Sequence, residues 1–186
     1  GILSEDAIRK WRHRVGEEEA NRVSHRASTR GTAVHAVLER YVDNEEDYFK
    51  DANLIVKSNF AEVKSILDKR LTKVYAQEAA LYSEHLGMAG RVDCVGVWDG
   101  KNSIIDYKTS AKPKKKSYCE GYFIQETAYA IMWEERTGMP ITQLVTIISV
   151  DNEEPQVFIE HRDNWINTLK HTIKQYNEEN STSILL

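Results

Sequence analysis

Residues 90–108, GRVDCVGVWDGKNSIIDYK, decide the fold, because they read as a β-hairpin carrying Asp93 on its first arm and Asp106 and Lys108 on its second. The first arm, Arg91 to Trp98, is rich in β-branched and apolar residues, and Asp99-Gly100 is a hairpin turn dipeptide. The second arm, Ser103 to Lys108, returns beside it. Strand side chains alternate between faces, so Asp106 and Lys108 point one way and Tyr107 the other. A strand does not bury a carboxylate and an ammonium side by side without a reason, since desolvating either is costly. Taken alone, Asp-x-Lys is also the mark of an ordinary same-face ion pair, so the neighbouring residues must decide.

The chain has 186 residues, enough for one sizeable core and too few for two. Hydrophobic residues make up 41% and charged residues 29%, and no apolar run is long enough to span a bilayer, so no membrane partner is expected. The two cysteines, Cys94 and Cys119, form no CxxC pattern; they read as plain thiols of a reducing compartment and exclude a zinc or iron–sulfur site built from cysteines. The formal net charge of −4 excludes bulk attraction to nucleic acid and requires any such site to be a local basic patch. The opening at Gly1, straight into a helix start, reads as a trimmed beginning, with room for a preceding segment such as a targeting peptide.

The first seventy residues read as mostly helix. Ser4 is placed as an N-cap with Glu5 and Asp6 in the first turn, and Ile8, Trp11 and Val15 follow at helical spacing. Glu17 to Ala27 continues helical and polar, with Arg30 bringing positive charge toward Gly31. Thr32 to Tyr41 is an amphipathic helix with His35 and Glu39 one turn apart. Asn44 is expected to cap a further helix that lasts to Leu71.

Lys73 to Tyr82, with Glu78 between apolar residues, reads as a strand leading through Gly87 to the hairpin. Lys112-Pro-Lys-Lys-Lys116 is then a basic loop in which Pro113 stops the strand. A helix is expected over Tyr118 to Thr137, closed by Gly138 and Pro140, with Gln125 and Tyr129 four apart on one face. Strands at Gln143 to Val150 and Gln156 to Glu160 precede a last helix over Asp163 to Glu178. The order gives an α/β fold: a central mixed sheet flanked by helices, with residues 72–186 as the core and residues 1–71 as an N-terminal helical extension packed on it, one structural domain in all.

His35, Glu78, Asp93, Asp106, Lys108, Gln125 and Tyr129 together suit phosphodiester hydrolysis. Carboxylates on neighbouring strands can hold Mg²⁺ or Mn²⁺, which lowers the pKa of a bound water and neutralises charge on the phosphate. Lys108 can orient or help deprotonate the attacking water.

In order and spacing, Gly31-Thr-Ala-Val-His35, Gly90-Arg-Val-Asp93, Asp106-Tyr-Lys108 and Gln125-Glu-Thr-Ala-Tyr129 resemble the motifs of the PD-(D/E)XK nucleases, RecB-like exonuclease branch. RVGEEEAN, ASTRGTAVH, GMAGRVDCVGVWDG and IIDYKTSAKPK are similar to the mitochondrial genome maintenance exonucleases and related phage-encoded exonucleases of that branch. The resemblance covers Trp11 to Tyr176. It implies that Asp93 and Asp106 bind Mg²⁺ or Mn²⁺ with the carbonyl of Tyr107, that Lys108 is the catalytic lysine, and that Glu78 and His35 stand beside the metal. Gln125 and Tyr129 would hold the strand ends and the phosphate backbone. Gly-Arg-Val-Asp replaces Pro-Asp, which is ordinary in the branch, and the four-cysteine cluster of some relatives is absent, so no iron–sulfur cluster is implied.

Each residue also has a plainer reading. His35 alone reads as a core or surface histidine, Gln125 and Tyr129 as helix packing, and Glu78 as a solvated strand residue. Lys112, Lys114, Lys115 and Lys116 read equally as a solvated loop or, placed directly after the catalytic strand of an acidic protein, as a DNA contact shared with Arg30 and Tyr118. Tyr118, Tyr122 and Phe123 are candidates for stacking on unpaired bases, with core packing expected for at least one. The expected protein is therefore a monomeric metal-dependent deoxyribonuclease acting as an exonuclease, with single-stranded DNA bearing a free end as the partner. The alternatives are a duplex-processing recombination exonuclease and a binding module that has lost its chemistry; none of the metal and lysine positions is substituted, which weighs against the last. Location follows the source, a host-cell cytoplasm for a phage protein and a mitochondrial matrix for an organellar one, and the texture of the C-terminal half leans toward phage.

Overall fold

The computed structural model describes the backbone of residues 2–184 and the side chains of residues 8–180. Helices α1 (Ile2–Val15), α2 (Glu17–Val42) and α3 (Leu54–Arg70) come first. Strands β1 (Leu71–Ser83), β2 (Met88–Trp98) and β3 (Lys101–Ser110) follow, then α4 (Glu120–Thr137), β4 (Gln143–Val150), β5 (Gln156–His161) and α5 (Ile166–Ile184).

The helical half departs from the sequence reading in three places. Ser4 lies inside α1 rather than ahead of it, and the side chains of Ser4, Glu5 and Asp6 lie outside the described residues. The polar stretch and the amphipathic stretch around Gly31 form one helix, α2, because Val34, Val37 and Leu38 bury a stripe that holds the backbone helical through the glycine. Asn44 is not a helix cap: it sits in a turn with φ 60, and Asn53 caps α3 by accepting a hydrogen bond from the Val56 amide.

The five strands are ordered β1-β2-β3-β4-β5, antiparallel except for β3 and β4. Asp99 and Gly100 both have positive φ, 51 and 79, the backbone that a two-residue hairpin turn needs to match strand twist. The crossover between β3 and β4 is α4, as a parallel pair requires. One face of the sheet packs Cys94, Trp98, Ile105, Tyr107, Val145 and Ile147 against α2 and α3, with Phe60 at the centre. The other packs Val92, Val95, Ile104 and Leu144 against α4 and α5. Both cysteines are free and buried, and burial pushes the Cys94 thiol up to about 12, which keeps it inert.

Candidate active site

The β2–β3 ladder ends at Cys94↔Ile105, while β3 continues with β4 from Ser103↔Gln143 to Ser110↔Val150. Beyond that point β2 and β3 fork, and the β3 amides on the open side need other partners. The Tyr107 amide finds one in Asp93, donating to its Oδ2 at 2.8 Å. Alternation along β3 then sends Ile105 and Tyr107 into the α2/α3 core and turns Asp106 and Lys108 toward α4. The fork thus gathers the polar residues where the sheet opens.

Asp106 is 3% exposed. Its Oδ2 is paired with Lys108 Nζ at 2.9 Å, so the buried charge has a partner. Lys108 Nζ also donates to Gln125 Oε1 at 3.4 Å, and Gln125 Nε2 donates to the Tyr129 hydroxyl at 2.9 Å. From the other side α2 brings His35, whose Nδ1 is 3.6 Å from Asp93 Oδ1. Glu78 enters from β1 with φ 44, a left-handed backbone that costs a non-glycine residue energy and is typical of functional positions. Its Oε2 accepts from Arg91 Nε at 3.0 Å. One ligand atom each from His35, Glu78 and Asp93 lie within 4.8 Å of one another, a spacing that suits a shared cation.

The electrostatics favour a cation as well. Burial, and then the charge of Asp106, push the Asp93 carboxyl up to about 8. Burial lowers His35 below its usual value, against the pull of Asp106, so its imidazole is neutral and free to ligate. For Lys108, burial favours the neutral amine, but Asp106 and Asp93 outweigh it and raise its pKa. The ammonium form is thus favoured beside these carboxylates, which suits Lys108 as a donor. Carboxylates and an imidazole at this spacing together make a donor set that suits a divalent ion.

Two residues here carry roles that the sequence did not announce. Glu126 is fully buried and both its oxygens lie 2.8 Å from the Thr146 hydroxyl. Thr146 is the β4 partner of Asp106. Burial first, then Asp106, hold the Glu126 carboxyl well above the usual range, so burial favours the protonated form of this acid beneath the site. Gly90 is the other: a Cβ there would come 2.8 Å from the Tyr129 ring, so the first residue of G-x-x-D is set by the approach of the aromatic ring.

The basic residues are more dispersed. Arg30 is not a loose cation but is paired with Asp151. Lys116 Nζ lies 2.6 Å from Glu160 Oε1. The Lys114 backbone is clamped by Gln156 at both its amide and its carbonyl, while its ammonium and that of Lys108 both lie over the Tyr122 ring, at 5.5 and 4.9 Å. Lys112 and Lys115 are exposed. Tyr118 is 74% exposed whereas Phe123 is buried, so of the three aromatics Phe123 goes to the core.

The PD-(D/E)XK nuclease superfamily matches residues 6–183. The chain is 30% identical over 124 residues to human mitochondrial genome maintenance exonuclease 1, covering 64% of this chain and 34% of that protein. To its mouse counterpart it is 28% identical over 111 residues, covering 58% and 32%. It thus spans about a third of the length of these relatives. A solved structure of a candidate exonuclease from Eubacterium rectale superposes with a TM-score of 0.53 at 17% identity, covering 81% of this chain and 65% of that one, which is a likeness of fold.

Proposed function

Since the chain belongs to the PD-(D/E)XK nuclease superfamily, we propose that it is a DNA exonuclease dependent on Mg²⁺ or Mn²⁺ and selective for single-stranded DNA with a free end. The observation that carries this reading is the β2/β3 fork, where Asp93, Asp106, His35 and Glu78 converge beside an ammonium. The exonuclease relatives support the same chemistry.

Asp93 and Asp106 would hold the ion, with the Tyr107 carbonyl, Glu78 and His35 around it. When bound, the ion supplies an acidified water and positive charge against the phosphate. Lys108 donates to a non-bridging phosphate oxygen, offsetting charge as the pentavalent transition state forms. Gln125 holds that ammonium in place and is itself held by Tyr129, so the donor is set before substrate arrives. Asp93 fixes β3 through the Tyr107 amide, which ties the strand geometry to the carboxylate. The helices of residues 1–71 wall one side of the path, and a path that admits one strand selects unpaired DNA. Exposed Lys112 and Lys115, with Lys114 and Tyr118, take the strand's backbone and a base.

The test is a cleavage time course on single-stranded and duplex DNA labelled separately at each end, with Mg²⁺, Mn²⁺ or EDTA. Metal-dependent loss confined to the single strand, and blocked when the strand is circular, is expected. Equal digestion of duplex, or cutting of circles, overturns the substrate reading, and no cleavage with either metal overturns the activity.

A further inference from the structure

A cleft of about 730 Å³ opens between the β1–β2 turn, α4 and α5, with Gln125 and Tyr129 in its wall. We propose that it seats nucleobases of the single strand whose backbone crosses the β2/β3 fork. The inference rests on the exonuclease reading above and adds where the bases go.

Continuity is the first support. Gln125 contacts Lys108 and also lines the cleft, and so does the Tyr129 that fixes it. A strand with one phosphate at Lys108 therefore meets the cleft within the reach of a single side chain.

Chemistry is the second. Among the described residues, none lining the cleft carries an acid or a base: Met88, Ile124 and Ile173 supply apolar wall, Thr172 a hydroxyl, and Tyr176 a ring that is 59% exposed. A phosphate would find no cation there. A base would find what it needs, an aromatic face, apolar contact and hydrogen-bonding groups for its edge. The cations gather instead over Tyr122, which does not line the cleft. Volume is the third support, because about 300–1,000 Å³ is the range of clefts that enclose small molecules. A strand lying across the fork thus meets one surface suited to its backbone and another suited to its bases.

The experiment measures binding to the whole protein, with Ca²⁺ to suppress turnover, of a fluorescent single strand and of the same strand made abasic near its end. The wild-type protein is expected to bind the base-bearing strand about tenfold more tightly, the size of one lost stacking contact. Tyr176→Ala should erase most of that difference and Tyr176→Trp should restore it. A preference that Tyr176→Ala leaves intact overturns the proposal, as does equal weakening on both strands. Those results leave the exonuclease reading standing if the wild type still cuts single strands with Mg²⁺ or Mn²⁺. A protein that neither binds nor cuts them overturns both.

Discussion

The β2/β3 fork and the basic loop that follows β3 both collect charge, and they use it in opposite ways. In the fork the carboxylates of Asp93 and Asp106 are 13% and 4% exposed as side chains. Each has a designated neighbour: the Tyr107 amide for one and Lys108 for the other. In the loop the lysines stand in water or rest on a ring or a single acid. Burial makes every partner decisive, because an unmatched charge there pays a desolvation cost that water would otherwise cover, whereas an exposed pair is worth about 0–1 kcal/mol. Replacements in the fork should therefore act singly and steeply, and those in the loop jointly and mildly.

The largest effect expected is on turnover. Asp106→Ala or Lys108→Ala should cut cleavage of single-stranded DNA by about a hundredfold or more, with DNA binding and the folded circular-dichroism spectrum largely retained. Turnover near wild type in either variant would mean that the fork is an ordinary buried ion pair.

The second effect couples metal to pH. A carboxyl whose folded pKa is raised binds its proton more tightly folded than unfolded. Without metal, Asp93 therefore subtracts stability as pH climbs from its ordinary value near 3.8 toward about 8. A divalent ion must displace that proton, so the gain in Tm from Mg²⁺ or Mn²⁺ should grow between pH 6 and 8. Asp93→Asn should flatten the metal-free pH dependence and abolish the metal-induced gain. A gain independent of pH would place the ion away from Asp93.

Gly90→Ala comes third and tests how the fork is held. The new methyl must push Tyr129 aside, costing about 1–3 kcal/mol of stability, and with Tyr129 displaced Gln125 loses its anchor. Thermal unfolding and kcat should fall together. Unchanged kcat would show that the Gln125–Tyr129 pair is packing alone.

The hairpin, the basic loop, α4 and the last two strands were legible because each announces itself locally, through alternation, a turn dipeptide, or a Gly and Pro after a helix. The α2 boundary was not, since continuity through Gly31 depends on the sheet that Val34, Val37 and Leu38 cover. Asn44 has the chemistry of a cap, but the helix it would open begins only at Leu54. In the candidate site, strand alternation put Asp106 and Lys108 on one face, and the order of motifs shared with the nuclease family singled out Asp93 beside them. Glu126 was missed although a signal exists: it shares a buried helical stripe with Phe123, Thr127 and Ala130, where an acid is out of place unless something beneath it needs one. Arg30 and Lys116 showed only their charge, because their partners, Asp151 and Glu160, are remote in sequence.

The ion pair of Lys116 with Glu160 sets it apart from the other lysines of the loop. Each lysine contact with a single-stranded phosphate contributes about 0.7 to the slope of log affinity against log salt. Lys116 is already held by the largely buried Glu160, so Lys116→Ala should leave the slope nearly unchanged. Lys115 is exposed, and Lys114 lies over the same ring as Lys108, so each should contribute in full. Replacing Lys114, Lys115 and Lys116 with Ala is then expected to lower the slope by about 1.4 rather than about 2.1, measured by fluorescence anisotropy across a salt series. The larger drop would mean that phosphate draws Lys116 away from Glu160. No drop at all would return the loop to solvated surface, and the fork would have to attract its substrate without it.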